Sequence, residues 1–146
     1  MNLRIKKTNK NCPIGIIIPK YKDDAGCDLV SVADIELKPG ELGIIRHNFA
    51  IEIPIGYFGY IYPRSSTISK YFGNLLIMSS PIDAGYRGEI FTLVRNISSQ
   101  NEYFIEKGTR LAQLVIIPHI QIDSLEETEF LAKSDRDING FGSSGK

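Results

Sequence analysis

Short β-branched and aromatic runs, broken every few residues by glycine, proline or asparagine, dominate the chain. Residues 15–19, 34–37, 42–53, 57–62, 75–79, 89–97, 103–106, 110–118 and 120–124 read as strands, since such side chains suit a pleated, half-buried surface. Turn chemistry falls between them at Lys38-Pro39-Gly40-Glu41, Pro54-Ile55-Gly56, Asp83-Ala84-Gly85 and Glu106-Lys107-Gly108-Thr109. Residues 66–71 give the only helical reading, and no fixed-period repeat is present. Many short strands with almost no helix predict an all-β barrel or double-sheet jelly roll.

Two segments break the pattern. Residues 111–118 read Leu-Ala-Gln-Leu-Val-Ile-Ile-Pro, apolar on both faces of a strand apart from Gln113. Both faces of such a strand need cover, which a subunit interface supplies. The last residues are glycine- and serine-rich, the composition of a flexible tail or a frayed end, yet they carry Phe141, an aromatic that gains nothing from solvent. The chain therefore divides into a barrel over 1–133 and a tail over 134–146.

Composition narrows the functional classes. At 146 residues the chain is one domain, and its 17 Lys+Arg balance 17 Asp+Glu. Zero net charge argues against a duplex nucleic-acid binder, while a few local cations suffice for a small anionic ligand. Cys12 and Cys27 make no disulfide framework and have no metal-ligand spacing. No run approaches the ~20 apolar residues of a membrane span, and residues 1–10 lack a signal-peptide core. The expectation is a soluble protein of the cytoplasm, with a nuclear or host-cell compartment left open.

There is no phosphate-binding Gly-x-x-x-x-Gly-Lys loop and no His-Glu-x-x-His helix, and neither His47 nor His119 adjoins a nucleophile in sequence. Four polar clusters remain. In Ala25-Gly26-Cys27-Asp28-Leu29 the carboxylate is either a turn residue or the partner of a hydrated cation. In Pro63-Arg64-Ser65-Ser66-Thr67 the guanidinium fork and hydroxyls suit phosphate oxygens, and Ser65 or Ser66 equally suits a helix N-cap. Asp83 and Tyr86 flank a tight turn, where the carboxylate can serve as general base on a water and the phenol as a floor beneath a sugar; a turn Asp with a half-buried Tyr is the plain alternative. Arg136 precedes Gly-Phe-Gly-Ser-Ser-Gly, a cation, a ring and two hydroxyls in the arrangement of a lid.

Taken in order, Ala-Gly-Cys-Asp-Leu (25–29), Pro-Arg-Ser-Ser (63–66), Ile-Asp-Ala-Gly-Tyr-Arg-Gly-Glu-Ile (82–90), Gly-Thr-Arg-Leu-Ala-Gln-Leu (108–114) and Arg-x-x-x-Gly-Phe-Gly-Ser-Ser-Gly (136–145) resemble the five motifs of the trimeric dUTPase family. The resemblance implies a distorted jelly-roll β-barrel, a homotrimer with three shared active sites, and Mg²⁺-assisted hydrolysis of dUTP to dUMP and pyrophosphate. That reaction limits uracil incorporation into DNA and supplies dUMP for dTMP synthesis. In such a trimer the first, second and fourth motifs come from one subunit, the third from a neighbour and the tail from the third.

On matching positions Asp83 becomes the base for in-line water attack on the α-phosphorus. Tyr86 packs on the deoxyribose and excludes a 2′-hydroxyl, and Asp28 holds Mg²⁺ through water. Arg64, Ser65 and Gln113 contact phosphates or the attacking water, with Ser66 beside them. Ile77, Met78 and Ser79 belong to the hairpin whose main chain reads uracil. Arg136, Ser143 and Ser144 hold the γ-phosphate, and Phe141, beside Gly142, stacks on the base. Two departures stand out: Ser80-Pro81 replaces the customary Gly-Val, with no N–H at 81, and Asp137 and Asn139 replace customary glycines in the tail. The alternatives are a dCTP deaminase of the same fold, for which no equivalent glutamate is obvious over 100–106 although Glu102 and Glu106 are near, and a non-catalytic regulatory trimer.

Overall fold

The computed structural model describes residues 2–134 and residue 138. Eleven strands and one short helix follow in the order β1 (Arg4–Lys7), β2 (Ile16–Ile17), β3 (Cys27–Val30), β4 (Ile35–Leu37), β5 (Leu42–Arg46), β6 (Phe49–Glu52), β7 (Tyr57–Pro63), α1 (Ser65–Lys70), β8 (Leu75–Met78), β9 (Phe91–Asn96), β10 (Tyr103–Ile105) and β11 (Arg110–Pro118). They form an antiparallel four-stranded sheet β2-β3-β11-β7, a three-stranded sheet β5-β9-β8, and two ribbons, β1-β6 and β10-β4. The fold is the all-β, distorted jelly roll expected.

Two apolar clusters fill the interior. Leu29, Phe49, Ile51, Ile61, Ala112 and Leu114 form one, and Leu37, Ile45, Leu75, Val94, Ile105 and Leu111 are in the other, with Ile77 packed against both. β11 supplies both because its register on β3 shifts between Arg110 and Ala112. Such a bulge turns consecutive side chains to different neighbours, so Leu111 and Ala112 are both buried. Further along, Val115 and Ile117 lie beside Tyr60 and Phe58 and are only half-buried by their own chain. The double cover expected for 111–118 is thus met at its start by a bulge, and one face of its far half stays open within this chain.

The strand reading is corrected at four places. The run 42–53 splits into β5 and β6 because Asn48 takes a left-handed φ of 55°. Its side-chain amide donates to the carbonyls of Asn9, Cys12 and Pro13 at 3.0, 2.7 and 2.9 Å, and its Oδ1 accepts from the Asn9 N–H at 2.6 Å. A buried polar side chain so fully bonded holds the turn against β continuation. Residues 120–124 form no strand: Ile120 and Ile122 are 94% and 69% exposed, and no edge among the described residues pairs with them. β1 and β3 appear where no strand is predicted, β1 because its charged Arg-Ile-Lys-Lys run is an exposed edge on β6, β3 because it is gripped by β2 and β11 on both sides. The helix begins and ends one residue earlier than expected.

His47 is buried, with Nδ1 2.8 Å from the Val30 carbonyl and Nε2 2.8 Å from the Thr92 hydroxyl. Burial pulls its pKa below the ordinary histidine value, against smaller upward effects of the Val30 hydrogen bond and Glu89. The unfolded chain therefore binds a proton here more readily than the folded one, so stability rises with pH until the unfolded histidine, near about 6.5, is neutral. The expected result is a thermal midpoint that falls as pH drops below about 6.5, with a shallower fall over that range in His47→Gln; identical pH profiles for the two proteins contradict it.

Candidate active site

The first polar cluster grows from the β3–β11–β7 register. Asp28 pairs with Gln113, and Gln113 with Tyr62, so the carboxylate and the amide stand on one face. Gly26 makes the approach possible, since a Cβ there would lie 2.7 Å from the Leu114 carbonyl oxygen. Pro63 closes β7, and Arg64 occupies the N-cap of α1 with extended dihedrals. Neither Ser65 nor Ser66 caps the helix, which has no side-chain cap bond at all. The helix-cap reading of these hydroxyls is therefore not met.

Arg64 instead turns back, its Nε 2.7 Å from Asp28 Oδ1, while Arg110 Nη1 lies 3.1 Å from Asp28 Oδ2. Two guanidiniums share one carboxylate, which leaves a local excess of one positive charge. Asp28, Arg64, Ser65, Arg110 and Gln113 line a cleft of about 550 Å³. Ser66 lies outside it on the exposed side of α1. Arg110 lies inside the motif 108–114, but sequence reasoning gave it no role; the β3–β11 register is what brings it to Asp28.

The second cluster lies where β8 runs out. Ile82 exchanges two backbone hydrogen bonds with Gly59, at 2.8 and 2.9 Å, which anchors the chain immediately before Asp83. The Asp83 carbonyl then accepts the Tyr86 N–H at 3.0 Å and closes the turn. The Asp83 carboxylate is exposed and bonds to no other described residue. Met78, Ser79, Ser80, Pro81, Asp83 and Tyr86 are among the residues lining a cleft of about 360 Å³, and Asp83 also borders a second hollow of about 470 Å³ with His119 and Gln121. The Ser79 hydroxyl is engaged by the Ile61 N–H at 3.1 Å. Ile77 lies inward between the two cores and does not line the cleft.

The two clefts have no lining residue in common. Asp83 and Tyr86 are on one, and Asp28, Arg64, Ser65 and Gln113 on the other. Arg136, Phe141, Gly142, Ser143 and Ser144 lie outside the described residues. Cys27 sits next to Asp28, and burial, then the Asp28 charge, push its thiol up, away from the thiolate that a nucleophile requires. Among the described residues no three His, Cys, Asp or Glu side chains gather as a metal cage. Asp28 has acceptor capacity beyond its two arginine contacts, a donor set that fits a hydrated cation and does not fit direct multidentate ligation.

Comparison with known proteins identifies the family. A dUTPase family model matches residues 13–145. The chain is 43% identical, over 100% of both sequences, to a deoxyuridine 5'-triphosphate nucleotidohydrolase of Nautilia profundicola. It is 36% identical to one of Gloeothece citriformis, over 99% of this chain and 97% of that protein. A solved structure of a mutant Staphylococcus bacteriophage 80alpha dUTPase with dUpNHpp superposes with a TM-score of 0.89 at 32% identity, covering 99% of each chain. The order of the motifs, the all-β fold and these matches along nearly the whole length agree: the chain belongs to the dUTPase family.

Proposed function

We propose that the protein hydrolyses dUTP to dUMP and pyrophosphate in a homotrimer whose active sites are assembled from more than one chain. The observation that carries this reading is the division of the site. The carboxylate and phenol suited to water activation and sugar binding line one cleft, and the cations suited to phosphate line another. Neither cleft is sufficient alone, and a second copy supplying the missing half completes each. The outward face of β5-β9-β8 supports association, since Leu42, Ile44, Leu76, Met78 and Phe91 are 40–51% exposed on it.

In this mechanism the nucleoside occupies the cleft of Ser79, Ser80, Asp83 and Tyr86. Tyr86 closes the space beside the sugar, so that a 2′-hydroxyl meets the ring. Main-chain groups at 79 and 80 face the base edge, and Pro81 offers no donor. Asp83 accepts a proton from water as the water oxygen bonds to the α-phosphorus; the bond from that phosphorus to the bridging oxygen breaks, and pyrophosphate leaves. Arg64, Ser65 and Gln113 of the neighbouring chain orient the phosphates and the water, with Arg110 holding Asp28 in place. Mg²⁺ carried by the triphosphate would neutralise charge and polarise the phosphoryl group, with Asp28 receiving its hydration shell. Arg136, Ser143 and Ser144 on the γ-phosphate and Phe141 on the base complete the site from the tail. Such a site works by positioning and preorganised charge, and its reaction turns a DNA-contaminating nucleotide into a dTMP precursor.

The deaminase alternative needs a free glutamate in the nucleoside cleft, and the one glutamate lining it, Glu89, is held by the Arg46 ion pair and the Asn48 N–H. Glu102 instead lies beside Glu36, whose hydrogen bond and charge push its carboxyl up, and neither Glu102 nor Glu106 lines either cleft. Side-by-side assays with dUTP, dCTP, dTTP and UTP separate the readings. Pyrophosphate release confined to dUTP is expected; ammonia from dCTP supports the deaminase, and silence on all four supports a regulatory trimer.

A further inference from the structure

Tyr86 is held by the chain in an unusual way. Its ring lies directly on the backbone of Gly88, where a Cβ would sit 2.3 Å from Oη, 2.5 Å from Cζ and 2.9 Å from Cε2. Its hydroxyl donates to the Glu89 carbonyl at 3.1 Å. Glu89 is fixed in turn by the Arg46 ion pair and by the Asn48 N–H at 3.1 Å. Arg87 buttresses the turn from the other side, donating to the Ala84 and Tyr86 carbonyls at 2.6 and 2.8 Å. The ring is therefore seated on a bare stretch of main chain, and it is 42% exposed toward the cleft.

We propose that Gly88 is a positioning residue for substrate binding, which acts only through Tyr86 by letting the ring lie flush on the main chain. This rests on the nucleoside reading of the cleft above. Any side chain at 88 has to lift the ring by about 1 Å to reach an ordinary contact distance, and the lifted ring intrudes on the space where the sugar packs. Gly88 has no positive φ, so the demand is for room and not for a left-handed backbone. Gly85, in the same turn, is open: a Cβ there would meet no atom within 4 Å, and its φ is not positive. It supplies the matched control.

The test compares wild type, Gly88→Ala, Gly85→Ala, Tyr86→Ala and the double variant Gly88→Ala/Tyr86→Ala. KM and kcat on dUTP, the Kd of a non-hydrolysable dUTP analogue, and thermal midpoints are measured for each. Gly88→Ala is expected to raise KM and Kd about tenfold with kcat within a few-fold of wild type, and Gly85→Ala to change neither. In the Tyr86→Ala background the added Gly88→Ala is expected to shift Kd by less than about twofold, because no ring remains to be lifted. Wild-type Kd in Gly88→Ala, or an undiminished effect in the double variant, overturns the positioning role. A wild-type protein that neither binds the analogue nor cleaves dUTP overturns the functional reading, and the positioning role with it, before any substitution is compared.

Discussion

Asp83→Asn is expected to lower kcat on dUTP by about 10³-fold while leaving the thermal midpoint and the oligomer size unchanged. The large kinetic effect follows from the chemistry: the amide has nearly the shape of the carboxylate but cannot take the proton of the attacking water. The absent stability effect follows from the structure. The turn at Asp83 is held through its backbone, by the Gly59–Ile82 bridge before it and the Tyr86 N–H on its carbonyl. Its carboxylate is exposed and bonded to no described residue, so nothing in the fold depends on it. Binding of a non-hydrolysable dUTP analogue is expected to survive. Turnover within a few-fold of wild type removes the general-base role.

Arg64→Ala is expected to lower kcat/KM on dUTP by about 10²-fold or more, again without unfolding. Arg64 joins β7 to α1 as the helix N-cap, and its guanidinium makes the shorter of the two arginine contacts on Asp28. Its loss removes a forked donor from the phosphates, yet Arg110 still neutralises the half-buried Asp28, which keeps the structural cost low. Arg64→Lys restores the charge without the planar fork and is expected to recover only part of the activity. A lysine variant with wild-type kinetics shows that charge alone is needed; an alanine variant with wild-type kinetics removes Arg64 from the site.

The difference between these residues and the rest shows what a linear reading reaches. Turn chemistry and β-branched runs locate most strands, since both act through near neighbours in sequence. β3 stays invisible because the short run Cys-Asp-Leu-Val, entered through Gly26, becomes a strand only when β2 and β11 grip it. The break at Asn48 depends on carbonyls of Asn9, Cys12 and Pro13, more than thirty residues away, which no local propensity reports. Arg110 likewise meets Asp28 only through the β3–β11 register. Asp28, Arg64, Asp83 and Tyr86 are legible because their motifs follow a known order, and geometry adds the two separate clefts in which one chain holds them.

That separation makes the central claim directly measurable. Asp83→Asn and Arg64→Ala, each nearly inactive, are denatured, mixed in equal amounts and refolded together. In a cyclic trimer with the base from one chain and the cation from the next, every mixed trimer regains one intact site of three, and random assembly then returns about one quarter of wild-type activity. Each variant refolded alone stays inactive. A mixture as inactive as its parents, in trimers shown to be mixed, places the whole site within a single chain and contradicts the account.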